Sequence, residues 1–332
     1  LRCNVLIHYV AIVLGGFLLG IFFISQLKKF SLSYNLLIPK GIPLIGGLGM
    51  GSSFILVALP SFFLYSGLSK QLVGVIVSST IMLVFGVIDD WQELSVRAKF
   101  LIQIITTSLL IVFGIRTQIV YIGNLFNIII TFIWILAITN AFNHLDVMDG
   151  LASGTALTVS FSFFVISLLN GDIKTIILTL SLIGAILSFL IYNLPPAKIY
   201  LGNTGSHFLG FVLAAIALVV SYAPLERKIA LLSPLLILGL PIFDTAFLIL
   251  MRIKKGKLIF RKSNDHLALR FLSRGYSKKK SLLFMLLLGL FFSLSGVVFS
   301  QVANPLGIIM VIFAALVSLI IAFRMSKIAV NG

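Results

Sequence analysis

Four of the nine acidic residues in this chain stand as two pairs, Asp89–Asp90 and Asp146–Asp149. The second pair lies in NAFNHLDVMDGLASG (140–154), with Asn140, Asn143 and His144 just ahead of it. Carboxylates three positions apart share a face wherever the backbone turns helically. Two carboxylates on one face suit a hard divalent cation such as Mg²⁺, which takes one or two of them and completes its shell with water and substrate phosphates. The plainer reading is that each pair caps a helix at a membrane surface, and for Asp89–Asp90 alone the two readings weigh about equally. Lys99, ten residues after Asp89, can neutralise an aspartate, bind a phosphate as a point charge, or simply anchor a helix end. KIYLGNTGSHFLG (198–210) is a small-residue turn that opens into an apolar helix. Its backbone N–H groups near Gly202, Asn203 and Ser206 suit a phosphate, although small residues also serve helix packing in membranes. The glycines of GGLGMG (46–51) read as packing residues. His266 and Arg270, four apart in SNDHLALRFLSRGYSKKK (263–280), have the spacing to reach a diphosphate. Such basic stretches also serve topology and anionic lipid. Asp244 lies in an apolar run, where an ionisable group is by default functional unless Arg252 or Lys254 satisfies it.

The elements that must position these residues are membrane spans. Mean hydropathy is +1.17, with 60% apolar and 10% charged residues. That composition excludes a soluble enzyme and predicts an all-α, polytopic integral membrane protein forming a single domain over residues 1–332. Apolar windows fall at about 5–26, 45–66, 71–88, 98–114, 125–143, 153–170, 174–193, 205–223, 231–251, 282–300 and 305–323, giving ten to eleven helices. The first reads as a retained span and not a signal peptide. The single cysteine, Cys3, excludes a disulfide framework. A formal charge of +16 does not point to nucleic acid here; basic loops orient membrane proteins. Residues 252–281 carry eleven of the 25 lysines and arginines against Asp265 alone, and the 27–44 loop has Lys28, Lys29 and Lys40. Placing both in the cytoplasm with eleven spans brings the 89–97, 144–152 and 194–204 connections to the same face. Every polar motif then shares one side of the membrane, and the inverted repeat of many transporters is missing.

In this order, the motifs resemble those of the polyprenyl-phosphate N-acetylhexosamine-1-phosphate transferases, over nearly the whole chain. Asp89, Asp90, Lys99 and Gln103 match that family's DD motif with its downstream Lys and Gln. Asn140, Ala141, Asn143, Asp146, Asp149, Gly150, Leu151 and Ala152 match its N-A-x-N-x-x-D-G-x-D-G-L-A, with Val147 where Gly is usual. PLIGGLG (43–49) matches an early P-x-x-G-G, and Pro241 and Asp244, followed by Arg252, match a P-x-x-D. Two positions depart. The family's G-D-x-G-S reads Gly202-Asn203-Thr204-Gly205-Ser206, so a metal-ligating carboxylate becomes an amide. Its H-x-H-H reads His266-Leu267-Ala268-Leu269, which points away from the phospho-MurNAc-pentapeptide branch and toward the GlcNAc-1-phosphate transferases of O-antigen and teichoic-acid synthesis.

The resemblance implies transfer of a sugar 1-phosphate from a UDP-N-acetylhexosamine to polyprenyl (undecaprenyl) phosphate, with UMP released, at the cytoplasmic face of the plasma membrane. It implies Mg²⁺ or Mn²⁺ on Asp146 or Asp149 with help from Asn203. Asp89 or Asp90 would position or deprotonate the lipid phosphate, with Lys99 neutralising charge beside them. Asn140 or Asn143 would meet the nucleotide, Gly202 and Ser206 the phosphates, and His266 and Arg270 the sugar and diphosphate. A homodimer is compatible with the sequence, though no feature argues for one. Two rivals follow from the residues themselves. One is a family member that binds nucleotide sugar or lipid phosphate without turnover, its metal site weakened by Asn203. The other, less favoured, is a transporter, whose acids would sit at mid-membrane and not at one surface.

Overall fold

In lipid every backbone polar group must be satisfied within the chain, so apolar runs of spanning length become helices. The structure, a computed structural model, describes residues 2–222, 228–256, 265–328 and 330. In order these form α1 (Arg2–Tyr34), α2 (Gly46–Tyr65), α3 (Lys70–Trp91), α4 (Val96–Val112), α5 (Gly123–Leu145), α6 (Leu151–Asn170), α7 (Ile173–Asn193), α8 (Gly202–Val219), α9 (Ser233–Ile237), α10 (Gly239–Lys254), α11 (Leu267–Ser273), α12 (Lys278–Gln301) and α13 (Asn304–Ser326), with no strand among the described residues. The protein is an all-helical polytopic membrane protein. Part of the basic loop, residues 257–264, lies outside the described residues.

Among the described residues nine helices are long and apolar enough to cross a membrane, and ten if a bent pair counts as one. Ten meets the lower end of the expected ten to eleven, and two of the apolar windows differ in form from the expectation. The window 231–251 is broken into α9 and α10, which meet at 64°. Pro241, in the first turn of α10, has no N–H to donate, and Gly239 lets the Phe292 ring approach the bend. The window 98–114 becomes α4, whose 17 residues fall short of a full span. Lys28 and Lys29 are also not in a loop: α1 runs on to Tyr34 and includes them.

α7 and α8 are the centre of the bundle, each with 83% of its apolar window buried, whereas α13 has 11% and presents Ile312, Phe313, Leu319 and Phe323 outward. A side chain free to face lipid needs no partner, so the outer helices keep apolar surfaces all round. Close approach at the site end depends on small residues. A Cβ on Gly47 of α2 would lie 2.1 Å from the Gly205 nitrogen, and one on Gly86 of α3 would lie 2.3 Å from Thr204 Cα. Both bring neighbouring helices onto the first turn of α8. The segment before that turn is laced to the PLIGG stretch by backbone bonds from Tyr200 N to Pro43 O (2.9 Å), Gly46 N to Tyr200 O (3.1 Å) and Gly47 N to Leu201 O (3.1 Å).

Candidate active site

At one end of the bundle the end of α3, the start of α4, the end of α5, the 146–150 and 194–201 connections, the start of α8 and the α10–α11 region enclose a cavity of about 1080 Å³. Asp90, Lys99, Asn140, Asn143, Asp146, Asp149, Gly202, Asn203 and His266 all line it. Asp89, Ser206 and Arg270 are not on its wall.

The aspartate pair on α3 divides its work. Asp89 is 2% exposed, with Oδ2 held by Lys99 Nζ at 2.6 Å and Oδ1 by the Leu94 N–H at 2.9 Å. Each oxygen thus has a partner, and Asp89 lies behind Lys99, off the cavity wall. Asp90 turns the other way. Its Oδ1 accepts from Asn203 N (2.8 Å), and its Oδ2 from Thr204 N (3.0 Å) and Thr204 Oγ1 (2.6 Å). These are first-turn N–H groups of α8, which have no partner inside the helix. The turn read from sequence as a phosphate cradle is therefore already capped by a carboxylate. Gly202 takes φ +74°, in the region that favours glycine, and a Cβ there would lie 2.5 Å from Asp90 Oδ2.

An amide cluster joins α5 to α8. Asn143 Nδ2 donates to Asn203 Oδ1 (3.0 Å) and to Ser206 Oγ (2.9 Å). Ser206 is fully buried and acts as a support and not as a wall of the cavity. One turn earlier, Asn140 Nδ2 donates to Gln103 Oε1 on α4 at 2.8 Å. Asn203, expected as a metal ligand, thus has its amide oxygen already engaged.

Asp146 and Asp149 lie in the turn between α5 and α6, not on a helix as their spacing suggested, yet both face the cavity. Asp146 accepts no hydrogen bond among the described residues. Among the described residues Asp149 Oδ2 receives only the Ala197 N–H, at 3.4 Å. Burial, then the charges of Asp90 and Asp149, push the Asp146 carboxyl up to about 7. Two under-coordinated carboxylates pressed together fit a divalent cation. No group of three or more His, Cys, Asp or Glu among the described residues could hold one unaided, so phosphate oxygens would have to complete the shell. Asn193 keeps this turn in place: Oδ1 accepts from Gly150 N (2.9 Å) and Ser153 Oγ (3.1 Å), and Nδ2 donates to Ile199 O (3.1 Å). Sequence reading missed Asn193. Its signal was a lone amide at the end of an apolar helix, beside YNLPPAK.

The opposite wall is basic. His266 sets its Nδ1 2.8 Å from Asp244 Oδ2, and Asp244 Oδ1 accepts from Leu267 N at 2.9 Å. Asp244 is thus satisfied by His266 and the start of α11. The ring of His266 stands 6.4 Å from that of His144, which lines the cavity with Arg252 and Lys255. Arg270 departs from expectation. It is 1% exposed and off the cavity wall, its guanidinium held by Asp265, a lining residue, and by the end of α13.

The family model for glycosyl transferase family 4 matches residues 72–221, from α3 through the end of α8. A probable undecaprenyl-phosphate N-acetylglucosaminyl 1-phosphate transferase of Bacillus subtilis is 31% identical over 293 residues, covering 85% of this chain and 80% of the relative. A decaprenyl-phosphate N-acetylglucosaminephosphotransferase of Mycobacterium tuberculosis is 30% identical over 74% of this chain and 69% of its own. A phospho-N-acetylmuramoyl-pentapeptide-transferase of Shouchella clausii is 26% identical over 78% of this chain and 83% of its own.

Proposed function

The chain belongs to glycosyl transferase family 4, and from that premise we propose that it moves N-acetylglucosamine 1-phosphate from UDP-N-acetylglucosamine to polyprenyl (undecaprenyl) phosphate. The observation that carries this reading is the pairing of two under-coordinated carboxylates with a pre-oriented lysine, in one cavity at the end of a bundle of apolar spans. A water-soluble nucleotide sugar and a lipid phosphate can both reach such a place. Higher identity to the GlcNAc-1-phosphate transferases than to the pentapeptide transferase supports the choice of sugar. The acidic end faces the cytoplasm in this reading, on the strength of the Lys and Arg excess at 252–281. All residues form one transferase domain.

A prenyl-phosphate oxygen attacks the β-phosphorus of the donor. The bond from that phosphorus to the α–β bridging oxygen breaks, and UMP leaves with the electron pair. The attacking phosphate has a second pKa of about 6, so it is already an anion near neutrality and needs no general base. This fits an Asp89–Asp90 pair whose oxygens are committed to Lys99, Leu94 and the start of α8. Positioning and charge neutralisation carry such a transfer. Lys99, fixed by Asp89, takes the attacking phosphate. The acceptor's chain lies along the outer face of α4, where Val96, Arg97, Phe100, Leu101 and Ile104 line a groove that shares Val96 and Phe100 with the main cavity. Asn140 and Asn143 meet the nucleotide; His266, held by Asp244, meets the sugar and diphosphate. Asp146 and Asp149 would hold a divalent cation, Mg²⁺ or Mn²⁺, which would supply charge neutralisation for the diphosphate.

The test is a membrane assay with radiolabelled UDP-N-acetylglucosamine, undecaprenyl phosphate and Mg²⁺, run on wild type, Asp149→Ala and Asn203→Asp. Wild type should make labelled lipid and Asp149→Ala should not. Asn203→Asp should reach half-maximal rate at lower Mg²⁺, by roughly tenfold, because a carboxylate replaces an amide beside the cation. A silent wild type with an active Asn203→Asp would identify a lapsed metal site and sink the assigned activity.

A further inference from the structure

Arg270 follows His266 by one helical turn, and the sequence alone would send both to the diphosphate. The structure spends Arg270 elsewhere. Nη1 donates to the main-chain carbonyls of Met325 (2.8 Å) and Ile328, Nη2 to Asp265 Oδ1 (2.7 Å) and Nε to Asp265 O (3.3 Å). Its guanidinium also sits 5.2 Å from the centre of the Phe247 ring on α10. Carbonyls at the end of a helix have no partner within it, and a cation there is favoured. One buried fork thus ties the α10–α11 wall to the end of α13, a segment 55 residues away. Two residues beyond Ile328, Val330 lines the same cavity as His266 and Arg252.

We propose that Val330 forms part of the wall of the nucleotide-sugar pocket and that Arg270, which grips the main chain at Met325 and Ile328, is the positioning residue for this wall. This rests on reading the basic side of the cavity as the donor's. The geometry explains why Arg270 is an arginine. A lysine could pair with Asp265 but its single nitrogen could not also span two carbonyls in the fixed fork of a guanidinium. An apolar residue would bury beside Phe247 yet leave Asp265 and both carbonyls without this donor.

Cys3 is the only cysteine, so Val330→Cys in a Cys3→Ser background gives one reporter thiol, with Arg274→Cys as a control on exposed surface. The thiol's reaction with a methanethiosulfonate reagent is timed in membranes with and without UDP-N-acetylglucosamine. Saturating donor should slow modification of Val330→Cys by about fivefold or more, as occupancy of a shared pocket requires, and leave Arg274→Cys unchanged. Adding Arg270→Lys should speed modification and remove the protection. It should also raise KM for the donor by about tenfold while kcat stays within about twofold, the pattern of lost uniform binding. Equal rates with and without donor, in a protein that turns the donor over, would overturn the proposal even if Arg270→Lys failed to fold. Should no donor turn over, the functional reading fails instead, and the wall is judged by the labelling rate: no change on Arg270→Lys would overturn it too.

Discussion

Asp89 holds Lys99 while Asp90 holds the start of α8, and the two contacts fail differently when removed. Lys99→Met leaves a fully buried carboxylate without its counter-charge. Breaking a buried pair from one side costs about 3–5 kcal/mol, reduced here because Lys99 is 22% exposed and water can reach its end of the pair. Asp89→Asn/Lys99→Met removes both charges. It should recover most of the thermal stability in detergent while remaining inactive, whereas equal melting of single and double variants would argue against the pairing. Asp146 contributes a pH response of its own. Its carboxyl, pushed up to about 7, holds a proton that an unfolded chain would release near 4. The contribution of Asp146 to the stability of the metal-free protein is therefore full at the acid end and is lost as pH rises from about 4 to 7, so Asp146→Asn should remove that part of the pH dependence of the melting temperature. Cation must displace that proton, so the Mg²⁺ needed for half-maximal rate should fall as pH rises from 6 to 7, by up to about tenfold, and flatten above. A flat Mg²⁺ requirement across that range would remove Asp146 from the cation site. At this scale the sequence was readable because polar residues beside apolar spans are few. It could not show that Arg270 belongs to the end of α13, or that Asn143 takes up the Asn203 amide, since those partners are set by packing.

The helices place the site through contacts that tolerate no added atom. α3 meets α8 at Gly86, where a Cβ would lie 2.3 Å from Thr204 Cα and 2.9 Å from Thr204 N, both main chain. Gly86→Ala must push the two helices apart at the point where Asp90 grips Asn203 and Thr204. We expect a loss of about 1–3 kcal/mol, as for other overpacked positions, with transferase activity down by more than tenfold. Val84→Ala, on the same helix but at an outward position 55% exposed, should change neither. If both variants behave alike in a thermal melt and in the lipid-product assay, the α3–α8 contact does not set the site. The existence of the helices could be read from hydropathy, because lipid leaves the backbone no alternative. The 64° bend between α9 and α10 could not. Pro241 marks where a helix is weak, but the direction it turns depends on Phe292 of α12 filling the place a side chain at 239 would need. That bend sends Asp244 toward His266.

For the whole molecule, connectivity decides what helix length alone leaves short. Lys99 at the start of α4 and Asn140 near the end of α5 line one cavity, so the two helices run away from the site and back. We therefore expect α4 to cross too: 17 residues rise about 25 Å, and a thinned bilayer or the following turn would supply the rest. The bent α9–α10 pair must also return the chain to the site end, since Arg252 and His266 line the same cavity. If α4 crosses as well as the ten, eleven traverses are expected, with the α3–α4 and α10–α12 connections on one side and those at 66–69, 113–122 and 302–303 on the other. On the proposed orientation, drawn from lysine and arginine bias, the first set faces the cytoplasm. In a Cys3→Ser background, Glu93→Cys and Arg274→Cys should react with an impermeant maleimide only in inverted vesicles, and Asn124→Cys only in right-side-out ones. Should Asn124→Cys and Glu93→Cys label from the same side, α4 would not cross. The acceptor groove along its outer face would then lie flat at the membrane surface, where a prenyl chain has no reason to follow it.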